Sequence, residues 1–168
     1  PYEFPADIEG FTVIDVEIGA LGAAAVAHDG RTALLYTTAS SERRAVILSL
    51  DDASQRTLAF EKPLLGALAD ASGDSFVVIH DKQPGEIPPD ATPADPEYIA
   101  RSWGLSALEI ESAATRLVLT KHKPTQFALW TGDDAARMYA TFQGPESSTE
   151  VPATYRDVLE LDLSTFRT

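Results

Sequence analysis

The chain contains no cysteine. That excludes a disulfide framework, a thiolate metal site and a cysteine nucleophile, and it leaves the redox compartment open. Long apolar runs are also missing. None approaches the roughly 20 residues that cross a bilayer as a helix, so no membrane span is expected. Basic residues are scarce: 13 Lys and Arg stand against 26 Asp and Glu, a formal charge of −13. A surface of that sign repels phosphate backbones and anionic membranes, so nucleic acid is not expected as a partner. The acidic excess reads as a solubilising surface.

Recognisable chemical motifs are absent too. There is no Gly-x-Ser-x-Gly elbow and no ordered Ser, His and Asp constellation, so no catalytic residue is assigned. His28 sits at a turn, His80 at the end of a second strand and His122 in a fourth strand, with no His-x-His or Glu-x-x-His spacing. No metal site is assigned and no cofactor is expected. The acidic turns Asp51-Asp52 and Asp133-Asp134 are the only candidates for calcium, and neither has the alternating spacing of a dedicated loop. Glycines between 19 and 25 open a strand rather than a helix, so they form no phosphate cradle.

What is present is a globular composition, 44% hydrophobic and 23% charged over 168 residues, enough for one domain with a core. The chain starts at Pro1, without a methionine or signal-like segment, and is read as a mature, cleaved or cropped piece. Residues 1–10, with two prolines, form a lead-in or linker. Residues 11–17 are rich in β-branched side chains and predict a strand.

From there the pattern repeats. Residues 22–30 are a small-residue strand closed by Asp29-Gly30, and residues 31–38 are its hairpin partner. Residues 45–50 and 56–61 supply a third and a fourth strand around the turn at 51–54. Leu65-Gly66-Ala67 then repeats Leu21-Gly22-Ala23 after 44 residues, a period in the range of a four-stranded propeller blade. The second unit holds an apolar run at 76–79, expected of a strand buried on both faces. Its pattern breaks over 81–102, an insertion with five prolines. Within the insertion Asp95 reads as an N-cap and Pro96 as the first residue of a short helix reaching Arg101. The repeat resumes at Trp103, and a third unit runs from 125 to 168 with a second long loop at 144–156.

The fold class is therefore all-β: antiparallel four-stranded meanders, about three blades' worth. Blade one spans 20–63, blade two 64–124 and blade three 125–168. The orphan strand at 11–17 is expected to complete blade three, within the same ring or in a partner chain, so that no sheet edge is left unpaired. Three motifs carry a family likeness: Ala27-His-Asp-Gly-Arg-Thr-Ala-Leu-Leu35, Ala71-Ser-Gly-Asp-Ser-Phe-Val-Val-Ile79 and Gly132-Asp-Asp-Ala-Ala-Arg-Met-Tyr139. With these the chain resembles bacterial β-propellers of the WD-repeat, YVTN and TolB-like superfamily. The resemblance lacks the usual turn proline and any Trp-Asp pair. It implies a bacterial, extracytoplasmic protein and a scaffold, not one activity.

Three blades do not close a ring. The chain is therefore expected to need further blades, or a second copy in a six-bladed dimer, with apolar faces on the outer sheets. Loops between second and third strands share one propeller face. The contact residues expected on it are Asp81, Lys82, Glu86, Asp90, Tyr98, Arg101, Trp103, Tyr155 and Arg156. The function read from this is a non-catalytic module binding a protein or small ligand on that face. The alternative is the propeller domain of a larger hydrolase or oxidoreductase whose chemistry lies on other chain.

Overall fold

β-branched and apolar runs separated by tight turns give eleven short strands and one helix among the described residues. A computed structural model describes residues 13–16, 18–39, 41–132, 136–142, 158–163 and 165. The strands are β1 Ala23–Val26, β2 Thr32–Tyr36, β3 Arg44–Ser49, β4 Gln55–Ala59, β5 Leu64–Ala69, β6 Ser75–His80, β7 Trp103–Glu109, β8 Thr115–Thr120, β9 Pro124–Thr131, β10 Ala136–Phe142 and β11 Leu159–Asp162. The helix α1, Pro96–Arg101, lies between β6 and β7. It is too short to cross a membrane, and no helix among the described residues is long and apolar enough to do so.

The strands form three antiparallel sheets in chain order: β1-β2-β3-β4, β5-β6-β7-β8 and β9-β10-β11. The first two are copies of one unit down to their turns. In the first hairpin Ala27 N–H donates to the Thr32 carbonyl and Gly30 N–H to Ala27, and in the second Asp70 N–H donates to Ser75 and Gly73 N–H to Asp70. Gly30 and Gly73 sit at φ +70° and +86°, a left-handed conformation that glycine adopts at least cost. The outer turns match as well, with Ser49 N–H on the Ser54 carbonyl and Glu109 N–H on that of Ala114. Ala53 and Ala113 occupy equivalent places there, each at φ 59°.

Strand alternation divides the central residues between two cores. Leu34, Tyr36, Ala45 and Ile47 of the first sheet meet Leu64, Phe76, Val78 and Leu108 of the second, with Phe60 between them. The other side of the second sheet gives Val77, Leu105 and Ala107 to a core with Met138, Ala140, Leu161 and Leu163 of the third. Val77 and Val78 thus point to opposite sides, and both are fully buried. This is the continuous apolar run at 76–79 satisfying two interfaces at once. Phe127, a large residue on a strand position that is small in the other two units, fills the second core from β9.

Residues 13–16 do not form the strand expected over 11–17. Ile14, Val16 and Ile18 instead lie on the outward side of the first sheet, against Ala33, Leu35, Val46 and Leu48. The Gln55 side-chain amide donates to the Asp15 carbonyl at 2.6 Å and ties this strap to β4. The physical reason is the alternation itself. Three apolar side chains on one side of the strap gain more from covering an aliphatic face than from pairing along a sheet edge. The apolar face expected to stay open on the first sheet is thereby covered by the chain itself.

A candidate ligand-binding cleft at the insertion

The links β2–β3, β4–β5 and β6–β7 emerge at one end of the sheets, and the insertion 81–102 folds down onto the other two links. Its short helix follows from Pro96 at the first turn and the extended backbone of Asp95 before it. Asp95 caps the helix by position only. Its carboxylate accepts from the Thr92 N–H at 2.6 Å and the Thr92 hydroxyl at 2.9 Å, which holds its pKa below the usual carboxylate range.

The helix is pinned from below by Lys62 in the β4–β5 link. Lys62 is 1% exposed, and its Nζ donates to the carbonyls of Ile99 and Ala100 at the helix C-terminal end. A cation suits that end, where carbonyls lack helical partners. Burial pulls the Lys62 pKa down to about 8, the Arg43 charge lowers it further, and Asp81 opposes both. The aliphatic stem passes over β7 at Gly104, where an added Cβ would lie 3.3 Å from Lys62 Cδ and 2.9 Å from Leu117 Cδ1. Gln83 N–H donates to the Ala100 carbonyl, and the Arg101 guanidinium donates to the Glu86 carbonyl at 2.7 Å. Arg101 also pairs with Glu97 at 3.4 Å.

A cleft of about 530 Å³ opens between this insertion and the first unit. One wall is Arg43 and Glu61, joined by Arg43 Nη1 donating to the Glu61 carbonyl at 3.0 Å. The other is Gln83 with Pro96, Glu97, Ile99, Ala100 and Arg101. The lining pairs two guanidiniums with two carboxylates around a small apolar floor. That mixture suits a ligand carrying both hydrogen-bonding groups and an apolar portion.

Of the residues expected from sequence, Arg101 lines the cleft. Asp81 lies behind it, half-buried, close enough to raise the Lys62 pKa. Lys82, Glu86 and Asp90 are exposed outside the lining, and Tyr98 is half-buried with its carbonyl accepting from Ser102. Trp103 stands apart, with Lys123 Nζ 5.4 Å from its ring centre. Tyr155 and Arg156 lie outside the described residues. Sequence reading missed Arg43, Glu61 and Gln83. The first two were within reach of the topological rule, since the β2–β3 and β4–β5 links occupy the same face as the insertion.

Elsewhere, polar groups serve the fold. His80 Nε2 lies 2.7 Å from Ser106 Oγ, and its Nδ1 3.2 Å from the Pro63 carbonyl. A carbonyl only accepts, so Nδ1 carries the proton and Ser106 donates to Nε2. His80 and Ser106 are 1% and 3% exposed, and burial draws the His80 pKa down to about 4. A serine beside a neutral histidine, sealed from substrate, is a structural pair. His122 lies in the β8–β9 link rather than in a fourth strand. Of the acidic turns, Asp51 pairs with Arg31 at 2.8 Å and Asp52 accepts from the Ser54 N–H, with serine hydrogen bonds holding its pKa to about 2. Asp133 and Asp134 lie outside the described residues. Among the described residues no three His, Asp or Glu side chains group as a metal site would.

No protein-family profile matches the chain, and no curated protein matches it. Solved structures do. The tricorn protease aligns over 82% of this chain and 13% of its own, at 9% identity and a TM-score of 0.52. Hydrazine synthase of Kuenenia stuttgartiensis aligns over 73% of this chain at 13% identity and a TM-score of 0.48. TolB of Acinetobacter baumannii aligns over 83% at 9% identity and a TM-score of 0.40. This chain spans 31% of the length of each of the latter two. The likeness to the tricorn protease, the one of these three above a TM-score of 0.5, agrees with three successive antiparallel sheets and a single short helix among the described residues: the fold here is a β-propeller arrangement.

Proposed function

We propose that this chain is a non-catalytic propeller module that binds a protein segment or small ligand in the cleft between the insertion 81–102 and the Arg43–Glu61 rim. One observation carries the reading. The insertion is not a slack surface loop but a wall held by a buried lysine, by the Gln83 and Arg101 hydrogen bonds, and by an aliphatic stem fitted over Gly104. Such fixing is what a binding surface needs in order to avoid ordering costs on association. It is more than a tolerated insertion requires.

Selection of binders from a random peptide display library tests this. Peptides enriched on the wild-type chain should lose binding to Arg43→Glu and Arg101→Glu and keep it to Arg116→Glu, a substitution on the distant β8. The loss for either cleft variant should be about tenfold or more, the scale of a charged hydrogen bond removed. Binders indifferent to both cleft substitutions, or no enrichment at all, would overturn the reading.

A further inference from the structure

The two outward sides of the sheet stack are built differently. On the first sheet that side is aliphatic and covered by Ile14, Val16 and Ile18. On the third sheet the inward residues Phe127, Leu129, Met138, Ala140, Leu159 and Leu161 belong to the core. Alternation therefore sends Trp130, Arg137, Tyr139, Glu160 and Asp162 outward together, with Ala128 opposite Tyr139 and Asp162 opposite Arg137 in the ladder. Trp130 is 52% exposed.

This outward side has the parts of a binding platform. The indole lies over Gly132, where an added Cβ would come within 2.1 Å of the ring. Only glycine leaves room for the ring there. Beside it in the ladder, Arg137 donates from Nη1 to Glu160 Oε1 at 2.6 Å, and the Tyr139 side chain and Glu160 together raise the Arg137 pKa. Its Nε is shut off from solvent and has no acceptor among the described residues. An exposed aromatic ring next to a guanidinium–carboxylate pair presents an apolar surface edged by donors and acceptors.

We propose that this face binds a neutral carbohydrate, one sugar ring stacking on Trp130 while its hydroxyls bond Arg137 and Glu160. The charges on the page favour that occupant. A formal charge of −13 opposes nucleotides and other anions, and the two carboxylates here are already engaged, Glu160 by Arg137 and Asp162 by the Thr165 N–H, which leaves little for a cation. A further propeller blade fits poorly, because the two sheet interfaces within this molecule are built from apolar side chains and, among the described residues, carry no ion pair. A sugar ring has an apolar side for the indole and a hydroxyl edge for the polar pair.

The test is titration of the intact chain with maltopentaose, cellopentaose and tri-N-acetylchitotriose, followed by NMR of the two tryptophan indole N–H signals. At least one of these sugars should shift the Trp130 signal and leave Trp103 unmoved. Trp130→Ala should weaken that binding by about tenfold or more, as should Arg137→Ala, while Trp130→Tyr retains most of it. The backbone spectrum reports whether each variant stays folded, and Glu160→Gln supplies a second polar test if Trp130→Ala does not. The proposal fails if none of the three sugars moves the Trp130 signal, or if folded Trp130→Ala and Arg137→Ala bind as the wild type does. It also fails if Trp130 shifts with protein concentration alone, which would make the face an interface between copies.

Discussion

At the scale of single residues, His80 shows how a polar side chain can be buried cheaply while neutral and at high cost when charged. Its two nitrogens are satisfied by Ser106 and the Pro63 carbonyl, its ring lies 5.5 Å from that of Phe60, and its pKa falls from 6.5 to about 4. The folded chain therefore binds fewer protons than the unfolded chain between those values, and stability rises with pH across that window. The stabilisation is complete above 6.5 and is lost as pH falls toward 4, by about 3 kcal/mol in total. Urea denaturation from pH 7 to 4 should show that loss, and the difference between wild type and His80→Gln should shrink as pH falls. An unchanged difference would mean that His80 is not protonated on unfolding. Ala53 and Ala113 carry the opposite lesson. Both hold a left-handed conformation that alanine disfavours, and nothing in the repeat requires a side chain there. Ala53→Gly and Ala113→Gly should each raise stability by about 0.5–1 kcal/mol, read as a higher urea midpoint with unchanged slope.

At the scale of elements, the insertion depends on Lys62. With a pKa lowered from 10.5 to about 8, the folded state again binds fewer protons than the unfolded state between those values. Stability contributed here is fully present above 10.5 and falls as pH drops through about 8. Lys62→Met removes both the buried charge and the donor to the Ile99 carbonyl. Two effects should separate: the rise in stability between pH 8 and 10.5 should flatten, and amide exchange over α1 should quicken by about tenfold while β6 and β7 stay protected. If α1 exchange is unchanged, the lysine does not hold the helix. The helix itself was legible in the sequence, because Asp95-Pro96 is a local signal, and so were the strands of the three sheets, whose alternation and turns are local too, whereas residues 13–16 read as a strand and became a strap. Lys62 was not legible. Its role depends on Gly104, 42 residues later, leaving room for its stem, and on a helix contributed by an insertion. The cleft followed the same rule: Arg101 was found because it lies in the insertion, whereas Arg43 and Glu61 become part of a site only when three links fold together.

At the scale of the whole molecule, the two outward sides decide what the stack can join. A six-bladed ring of two copies, each end meeting the other, would press the side bearing Trp130, Arg137 and Glu160 against the side bearing Ala33, Leu35, Val46 and Leu48. The polar pair would lose water without gaining an acceptor or donor across the interface, a cost that burial of apolar area has to exceed. The strap would also have to leave, giving up the contacts of Ile14, Val16 and Ile18 and the Gln55 bond to Asp15. Burying three aliphatic side chains stabilises by several kcal/mol, at about 1.5–3 kcal/mol each when burial is full. On these grounds the strap competes with any neighbouring blade for the first sheet. The expected outcome is a wild-type monomer by light scattering at micromolar concentration. Ile14→Asp/Val16→Asp should uncover the aliphatic side, bind the dye ANS and associate as concentration rises. Gln55→Ala, which removes only the tether, should show a weaker form of the same change. A double variant that stays monomeric and dye-free would show that residues 14 and 16 are not what seals the first sheet. A wild-type dimer broken by Trp130→Arg would show that the polar side of the third sheet joins copies after all.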